Sequence, residues 1–181
     1  MFIQKINFQT NTLQVSIDLE QILLNTQWFE NQIGLKHRIN ASNKFQDCIG
    51  SLYSKEQRKF IANELDFTEW SIPDCYIKKQ ILTLCELEKF NVGRVRFMRL
   101  LPKTGLSVHM DQEFRYHLVI KTNINSYICQ NINIENNTLQ PLATCYHLPN
   151  DGYWYKVNTK EKHWVYNGGN DERIHLVVCE G

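Results

Sequence analysis

The N-terminal part of the chain alternates between apolar and polar positions in short runs. Residues 2–8 and 13–17 alternate with a period of two, which predicts two strands. Asp18 precedes the segment Leu-Glu-Gln-Ile-Leu-Leu, which predicts a short helix with an acidic residue near its start. Ser54 has Gln57 three residues later, a capping-box spacing that predicts another helix over residues 58–65.

A longer helix is predicted to begin near Pro73 and Asp74. Apolar residues then recur at helical spacing and would form one buried stripe, made of Ile77, Ile81, Leu84, Cys85 and Leu87. We expect the helices of this N-terminal part to pack against the outer face of a sheet formed by the rest of the chain.

The second half of the chain consists of short runs rich in β-branched and aromatic residues. Runs separated by Asn, Gly and Pro predict strands at residues 92–101, 116–122, 127–134, 144–148, 152–157, 163–166 and 173–179. This spacing indicates a mainly β fold, either a β-sandwich or a jelly-roll barrel. We expect a single domain over residues 1–181. Residues 1–91 would form a mixed α/β part packed on the barrel, and residues 92–181 the β core with the active site.

The composition narrows the classes of protein. The chain has 181 residues, 43% of them hydrophobic, and a formal net charge of +1. No long basic run occurs, so nucleic-acid binding is not indicated. The N-terminus does not resemble a signal peptide, and no apolar run approaches the ~20 residues that cross a bilayer. We expect a cytoplasmic protein without a membrane partner; the oligomeric state is left open.

The cysteines are widely spaced and form no Cys-x-x-Cys pair, although there are six of them. Thiols scattered singly among apolar residues are typical of reduced core residues in cytosolic proteins. We therefore expect neither a zinc ribbon nor a disulfide framework.

One histidine is followed by an acidic residue two places later, at His109 and Asp111. Residues i and i+2 of a strand point to the same side, so both could reach one metal ion. Two imidazoles and one carboxylate suit Fe(II) and leave positions open for oxygen and a chelating cosubstrate. The pair alone is also consistent with a surface His-Asp pair at the end of a strand.

A second motif stands near the C-terminus, where His163 is followed ten residues later by Arg173. A turn of Asn and Gly separates them, so we expect a hairpin that brings Arg173 back beside the strand of His163. A guanidinium beside a metal can grip one carboxylate of a dicarboxylate while the metal chelates the other end. The alternative for Arg173 is a surface pair with Glu161 or Asp171.

Three further polar residues are candidates for the same site. Arg115 and His117 share one face of the strand that follows Asp111, and His175 shares the face of Arg173. His147 and His175 compete with His163 for the role of second histidine ligand. Upstream, Arg96 and Arg99 would point to opposite faces of an unbroken strand, so at most one would face the site, and solvent exposure is the simplest expectation for both.

These motifs resemble the aspartyl/asparaginyl β-hydroxylase-like branch of the 2-oxoglutarate oxygenases. The resemblance spans roughly residues 93–178 and rests on His109-x-Asp111, Arg115-x-His117 and the step from His163 to Arg173. It implies a double-stranded β-helix (jelly-roll, cupin-like) fold. It also implies iron ligation by His109, Asp111 and His163, and a salt bridge from Arg173 to 2-oxoglutarate. Arg115 and His117 match positions near the other end of that cosubstrate.

The expected function is that of an oxidoreductase, a dioxygenase that uses Fe(II), 2-oxoglutarate and O2. It would hydroxylate an unactivated C–H bond of a peptide or a free amino-acid-like small molecule and release succinate and CO2. Two alternatives remain: a cupin-like metal enzyme that does not use 2-oxoglutarate, and a non-enzymatic β-sandwich binding module.

Overall fold

Antiparallel strands make up most of the chain in a computed structural model, which describes residues 1–54, 56–132 and 142–181. There are two helices, α1 (Thr12–Leu23) and α2 (Tyr76–Glu88), in these residues. The strands are β1 (Ile3–Gln9), β2 (Gln32–Gly34), β3 (Lys36–His37), β4 (Tyr53–Ser54), β5 (Lys59–Phe60), β6 (Glu69–Trp70), β7 (Val92–Leu100), β8 (Thr104–His109), β9 (Arg115–Lys121), β10 (Ser126–Ile132), β11 (Leu142–Tyr146), β12 (Tyr153–Val157), β13 (His163–Asn167) and β14 (Arg173–Glu180).

Two sheets face each other. The large sheet has six strands in the order β1-β12-β9-β14-β7-β2, and the small sheet has four in the order β11-β10-β13-β8. From β7 to β14 the strands alternate between the sheets, except that β10 and β11 are neighbours in the small sheet, and this is the jelly-roll arrangement that the family resemblance implied. Two strands from the N-terminal part, β1 and β2, form the edges of the large sheet.

The outer face of the large sheet packs against both helices. Val15, Leu19 and Ile22 of α1 lie three or four residues apart and are buried against this face. The corresponding stripe of α2 contains Ile77, Ile81, Leu84 and Cys85. The predicted packing of the N-terminal helices is thus confirmed, except that Leu87 is 55% exposed and lies outside the stripe.

Two secondary-structure predictions in this part are wrong. Residues 13–17 belong to α1, because Asn11 caps the backbone N–H groups of Leu13 and Gln14 and the apolar residues continue at helical spacing. Residues 58–65 contain β5 and a short 3₁₀ turn (Glu64–Asp66) instead of an α-helix. Ser54 does accept a hydrogen bond from the backbone of Gln57, but it closes a turn between β4 and β5.

A smaller apolar cluster fills one end of the space between the sheets. It joins Val119, Tyr155 and Val157 of the large sheet to Ile128 and Val165 of the small sheet. The buried side-chain amide of Asn167, at the end of β13, ties the sheets together elsewhere. Its Nδ2 donates to the carbonyls of Leu100, Leu101 and Asp171 at 3.1, 3.1 and 2.8 Å.

The expectation of single, reduced cysteines is wrong for one pair. Cys129 of β10 and Cys145 of β11 lie opposite each other in the small sheet and form a disulfide. The four other cysteines are free thiols, at Cys48, Cys75, Cys85 and Cys179. Sequence spacing did not reveal the pair because it depends on the register of two strands sixteen residues apart.

Candidate active site

Two histidines face each other on the small sheet. His109 is the last residue of β8 and His163 the first of β13, and they are partners across the antiparallel pair with ring centroids 4.3 Å apart. Nδ1 of His109 is 2.7 Å from the Ser107 carbonyl, and Nδ1 of His163 is 2.9 Å from the Glu161 carbonyl. A carbonyl only accepts, so each Nδ1 carries a proton, and in the neutral form of each ring Nε2 has the free lone pair.

The carboxylate of Asp111 completes this cluster. Asp111 Oδ2 lies 4.0 Å from His109 Nε2 and 3.6 Å from His163 Nε2. The other carboxylate oxygen accepts a hydrogen bond from Arg115 Nη2. Oδ2 is buried and has no hydrogen-bond partner among the described residues. An unsatisfied carboxylate oxygen beside two imidazole lone pairs is a donor set that a divalent cation would satisfy.

The electrostatics favour metal binding over protonation. Burial, together with the neighbouring His109, lowers the pKa of His163 below its ordinary value. The imidazole is therefore neutral at physiological pH, which is the form that binds a metal. Ligand atoms of His109, Asp111 and His163 all lie within 4.8 Å of one another, as residues around one ion must.

Arg173 is buried between the sheets as the first residue of β14, on the large sheet opposite the histidines. It is 5% exposed, and its Nη2 lies 3.0 Å from Nδ1 of His175. No carboxylate lies within ion-pair distance of it in the described part of the chain, so the alternative pairs with Glu161 or Asp171 do not form. Burial lowers the pKa of Arg173 to about 9.

His117 and His175 lie beside this guanidinium. Nδ1 of His175 accepts from Arg173 and is 3.3 Å from Nδ1 of His117. Burial first, and then the charge of Arg173, holds the pKa of both imidazoles well below the usual value. Since Nδ1 of His175 accepts, its Nε2 carries the proton, and this buried N–H has no partner among the described residues. His175 therefore lies with Arg173 and outside the His109–Asp111–His163 cluster.

A cavity between the sheets connects the two groups. It has a volume of about 100 Å³, and His109, His163, Arg115, His117, Arg173 and His175 line it together with apolar residues of both sheets. A wider cleft of about 680 Å³ adjoins it and also reaches His109, Asp111 and Arg115. The seven residues singled out from the sequence thus lie around one connected space.

Some expectations about the site are wrong. His163 and Arg173 do not lie on a hairpin, because β13 belongs to the small sheet and β14 to the large one. They face each other across the cavity instead. His147 is not part of the His109–Asp111–His163 cluster and hydrogen-bonds to the carbonyl of Ser126.

Two arginines upstream also differ from expectation. Arg96 is not solvent-exposed: it is buried at the wall of the wider cleft. Arg99 is half-buried, contacts Asn31 and Glu172, and lines the cavity.

The sequence model of the aspartyl/asparaginyl β-hydroxylase family matches residues 74–179. The chain belongs to this family. The match begins within the turn before α2 and ends at the last residue but one of β14, so it includes every residue of the candidate site. The matched residues include the candidate metal site formed by His109, Asp111 and His163.

One solved structure shares the fold of this family member over almost its whole length, and others are similar to part of the chain. IDO from Bacillus thuringiensis matches 99% of the chain with 90% of its own, at a TM-score of 0.51 and 10% identity. A 2OG-Fe(II) oxygenase family oxidoreductase from Burkholderia pseudomallei matches 50% of the chain at a TM-score of 0.39 and 16% identity, and the match covers 44% of that protein. A cupin domain from Bordetella pertussis matches 50% of the chain with 83% of its own length, at a TM-score of 0.37 and 12% identity.

No curated protein matches the sequence significantly. Neither helix in the described residues is both long enough and apolar enough to cross a bilayer.

Proposed function

We propose that this family member is an Fe(II)- and 2-oxoglutarate-dependent dioxygenase. His109, Asp111 and His163 would hold the iron, and Arg173 would hold the distal carboxylate of 2-oxoglutarate. The two-histidine, one-carboxylate set is the donor combination of non-haem Fe(II) oxygenases. When bound, iron and 2-oxoglutarate supply the activation of O2 for insertion into a C–H bond, with release of succinate and CO2.

The buried cation at Arg173 carries this proposal. A buried guanidinium with no anionic partner costs free energy, and a bound carboxylate would offset that cost through paired hydrogen bonds. A metal enzyme that binds no dicarboxylate would leave Arg173 unexplained. The position of Arg173 opposite the His109–Asp111–His163 cluster suits a molecule that reaches the metal at one end and the guanidinium at the other.

The remaining residues of the cavity would orient the cosubstrate and the ligands. Arg115 holds Asp111 through one carboxylate oxygen and leaves the other directed at the histidines. The N–H of His175 is free to donate to a bound carboxylate beside Arg173. Because burial keeps His117 and His175 neutral, they add hydrogen bonds without adding further positive charge.

We also propose a substrate that is a peptide or a free amino-acid-like molecule, hydroxylated at an unactivated C–H bond in the cytoplasm. The wider cleft reaches His109 and Asp111 and could admit such a molecule to the metal site. Neither nucleic acid nor a membrane is expected as a partner.

An anaerobic titration tests the cosubstrate assignment directly. Fe(II) and 2-oxoglutarate should give the weak visible charge-transfer band of the chelate with the wild-type protein. Arg173→Gln should weaken 2-oxoglutarate binding by about 100-fold, because a bidentate charged pair is lost. Lys121→Gln is the matched control, since it removes an exposed cation opposite the next residue of β14.

The same titration separates the alternatives. A band that persists unchanged in Arg173→Gln, or no band in folded wild-type protein, would contradict the proposal. A cupin-like enzyme without 2-oxoglutarate would bind the metal and lose it in His109→Ala, yet it would release no succinate.

A further inference from the structure

Besides Arg99, which pairs with Glu172, four arginines of the large sheet line the cavity or the wider cleft. Arg94 forms a buried ion pair with Glu64 at 2.8 Å, and Arg115 pairs with Asp111. Arg173 has the role proposed above. Arg96 is the fourth, and no carboxylate of the described residues lies within ion-pair distance of it. The proposed cosubstrate offsets only one of the two uncompensated charges.

Hydrogen bonds within the protein satisfy only part of the Arg96 guanidinium. It is 2% exposed, and its Nη1 donates to Gln32 Oε1 at 3.1 Å and to the Gly50 carbonyl at 3.3 Å. Its Nη2 lies 3.5 Å from Cys179 Sγ, a weak acceptor, and its Nε has no partner among the described residues. Burial, and then the charge of Arg94, lowers the pKa of Arg96, as expected where no anion balances it.

The location of Arg96 differs from that of Arg173. Arg96 lines the wider cleft, which also contains His109 and Asp111, whereas Arg173 lines the cavity behind them. An anion bound by Arg96 would therefore lie on the open side of the metal cluster. This is the side from which a molecule to be hydroxylated would approach.

The cleft wall also contains a group of apolar side chains. Leu106, Val108 and Met110 are 42%, 53% and 59% exposed and line it from β8 and the loop that follows, and Tyr53 and Phe60 line it from the short β4–β5 ribbon. Exposed apolar side chains grouped along a cleft favour an apolar ligand surface. A guanidinium without a carboxylate partner in such a cleft favours a ligand that carries an anionic group beside its apolar part.

We propose that Arg96 binds a carboxylate of the substrate, and that the substrate is a carboxylic acid with an apolar chain, the size of an apolar amino acid or its N-acyl derivative. The apolar chain would lie along Leu106, Val108 and Met110, with a C–H bond near the metal cluster. This assignment rests on the proposed function, because it takes Arg173 to be occupied by the cosubstrate.

The test uses the full chain loaded with Mn(II) and N-oxalylglycine, an inert pair in place of Fe(II) and 2-oxoglutarate. Thermal unfolding is followed with matched probes: hexanoate against hexanamide, and N-acetyl-L-leucine against its amide, at constant ionic strength. The carboxylates should raise the unfolding temperature with saturation, and the amides should do so less. In Arg96→Gln the apparent Kd of the carboxylates should rise at least about 10-fold, because a charged hydrogen-bonded pair is lost.

Two variants act as controls. Lys162→Gln removes a positive charge from an exposed position at the same cleft and should change the Kd less than about 2-fold, because exposed charges are screened. Arg96→Lys keeps the charge but loses the fork geometry and should give an intermediate Kd. If Arg96→Gln does not fold, Arg96→Lys and the carboxylate–amide comparison in the wild-type protein decide the question.

Three results would overturn the inference. The first is that neither carboxylate stabilises the loaded wild-type protein more than its amide. The second is that Arg96→Gln binds the carboxylates as the wild type does. The third is that Arg96→Gln loses affinity for N-oxalylglycine, which would place Arg96 in the cosubstrate site and leave the proposed function intact. Failure of the proposed function would show earlier, as absence of stabilisation by Mn(II) and N-oxalylglycine.

Discussion

The two faces of the large sheet are made by alternate residues of the same strands, yet they differ in almost every property. The outer face carries Phe97, Leu118, Leu176 and Val178, which are buried against the helices. The inner face carries arginines and histidines from the same three central strands. The strand β14 is buried at seven consecutive positions because both its faces are covered.

The outer face of the large sheet stabilises the fold, whereas the inner face carries the residues of the candidate site. Apolar burial on the outer face stabilises the fold by roughly 25 cal/mol for each Å² removed from water. Burial of uncompensated cations on the inner face costs free energy in the absence of ligands. The stability gained on the outer face therefore offsets the free-energy cost of the buried cations on the inner face.

The largest effect is expected on the outer face. Phe97→Ala should lower the free energy of unfolding by about 4 kcal/mol, because Phe97 is fully buried and the substitution leaves a cavity against the helices. Denaturant unfolding measures this. The folded fraction of the variant should still bind the metal with nearly wild-type affinity, and a loss of metal binding beyond the loss of folded protein would contradict the division.

The compensated ion pair on the inner side should behave as a structural element. Glu64→Gln should lower the free energy of unfolding by about 3 kcal/mol, because it leaves Arg94 buried without its carboxylate. Asp74→Asn is the control, since it breaks the pair with Lys78 at an exposed position and should produce no measurable change. Equal effects of the two variants would show that burial of the Arg94–Glu64 pair does not matter.

The inner face should also make the metal-free protein sensitive to acid. His117 and His175 stay neutral when folded because burial holds their pKa values well below 6.5, whereas in the unfolded chain they bind protons below about that pH. The unfolded state thus binds more protons, and stability falls as the pH decreases from about 6.5. Each histidine contributes a slope of about 1.4 kcal/mol per pH unit. His117→Asn and His175→Asn should each reduce the measured slope by that amount.

The smallest effect is expected at Arg173 and has the opposite sign. In metal-free protein Arg173→Met should raise the free energy of unfolding by about 1 kcal/mol, because an unpaired buried charge is replaced by an apolar chain of similar length. Thermal unfolding without ligands measures this gain in stability, and thermal unfolding with Mn(II) and N-oxalylglycine measures the stabilisation by ligands that the variant loses. A variant that is destabilised without ligands would show that Arg173 has a structural role.

Much of the fold and the grouping of polar residues could be predicted from the sequence. Five predicted strands correspond to observed strands within a residue or two, at residues 92–101, 116–122, 152–157, 163–166 and 173–179. The described part of the predicted strand 127–134 corresponds to β10, and the predicted strand 144–148 lies two residues after β11. Residues 133 and 134, at the end of one predicted strand, lie outside the described residues. His109, Asp111 and His163 come together as their spacing and the family resemblance implied, and their role as iron ligands remains a prediction.

The features that were not predicted depend on contacts between residues far apart in the sequence. The alternation in residues 13–17 is too short to exclude a helix, and the burial of Val15, Leu19 and Ile22 decided it. Arg96 was expected to be exposed because alternation shows which residues share a face, but not what covers that face. Its burial depends on Gln32 and Gly50, which are far away in sequence.

The bond network of Asn167 has a consequence for the choice of cosubstrate. Under the proposed function the metal would lie on the small sheet and its carboxylate anchor, Arg173, on the large one, so the gap between the sheets, about 10 Å between facing layers, would limit the length of the acid that fits. Asn167 joins the end of β13 in the small sheet to the Leu100 carbonyl at the end of β7 in the large one, and it also bonds to the carbonyls of Leu101 and Asp171. One buried amide that lines neither end of this space would thus help to select the length of the dicarboxylate.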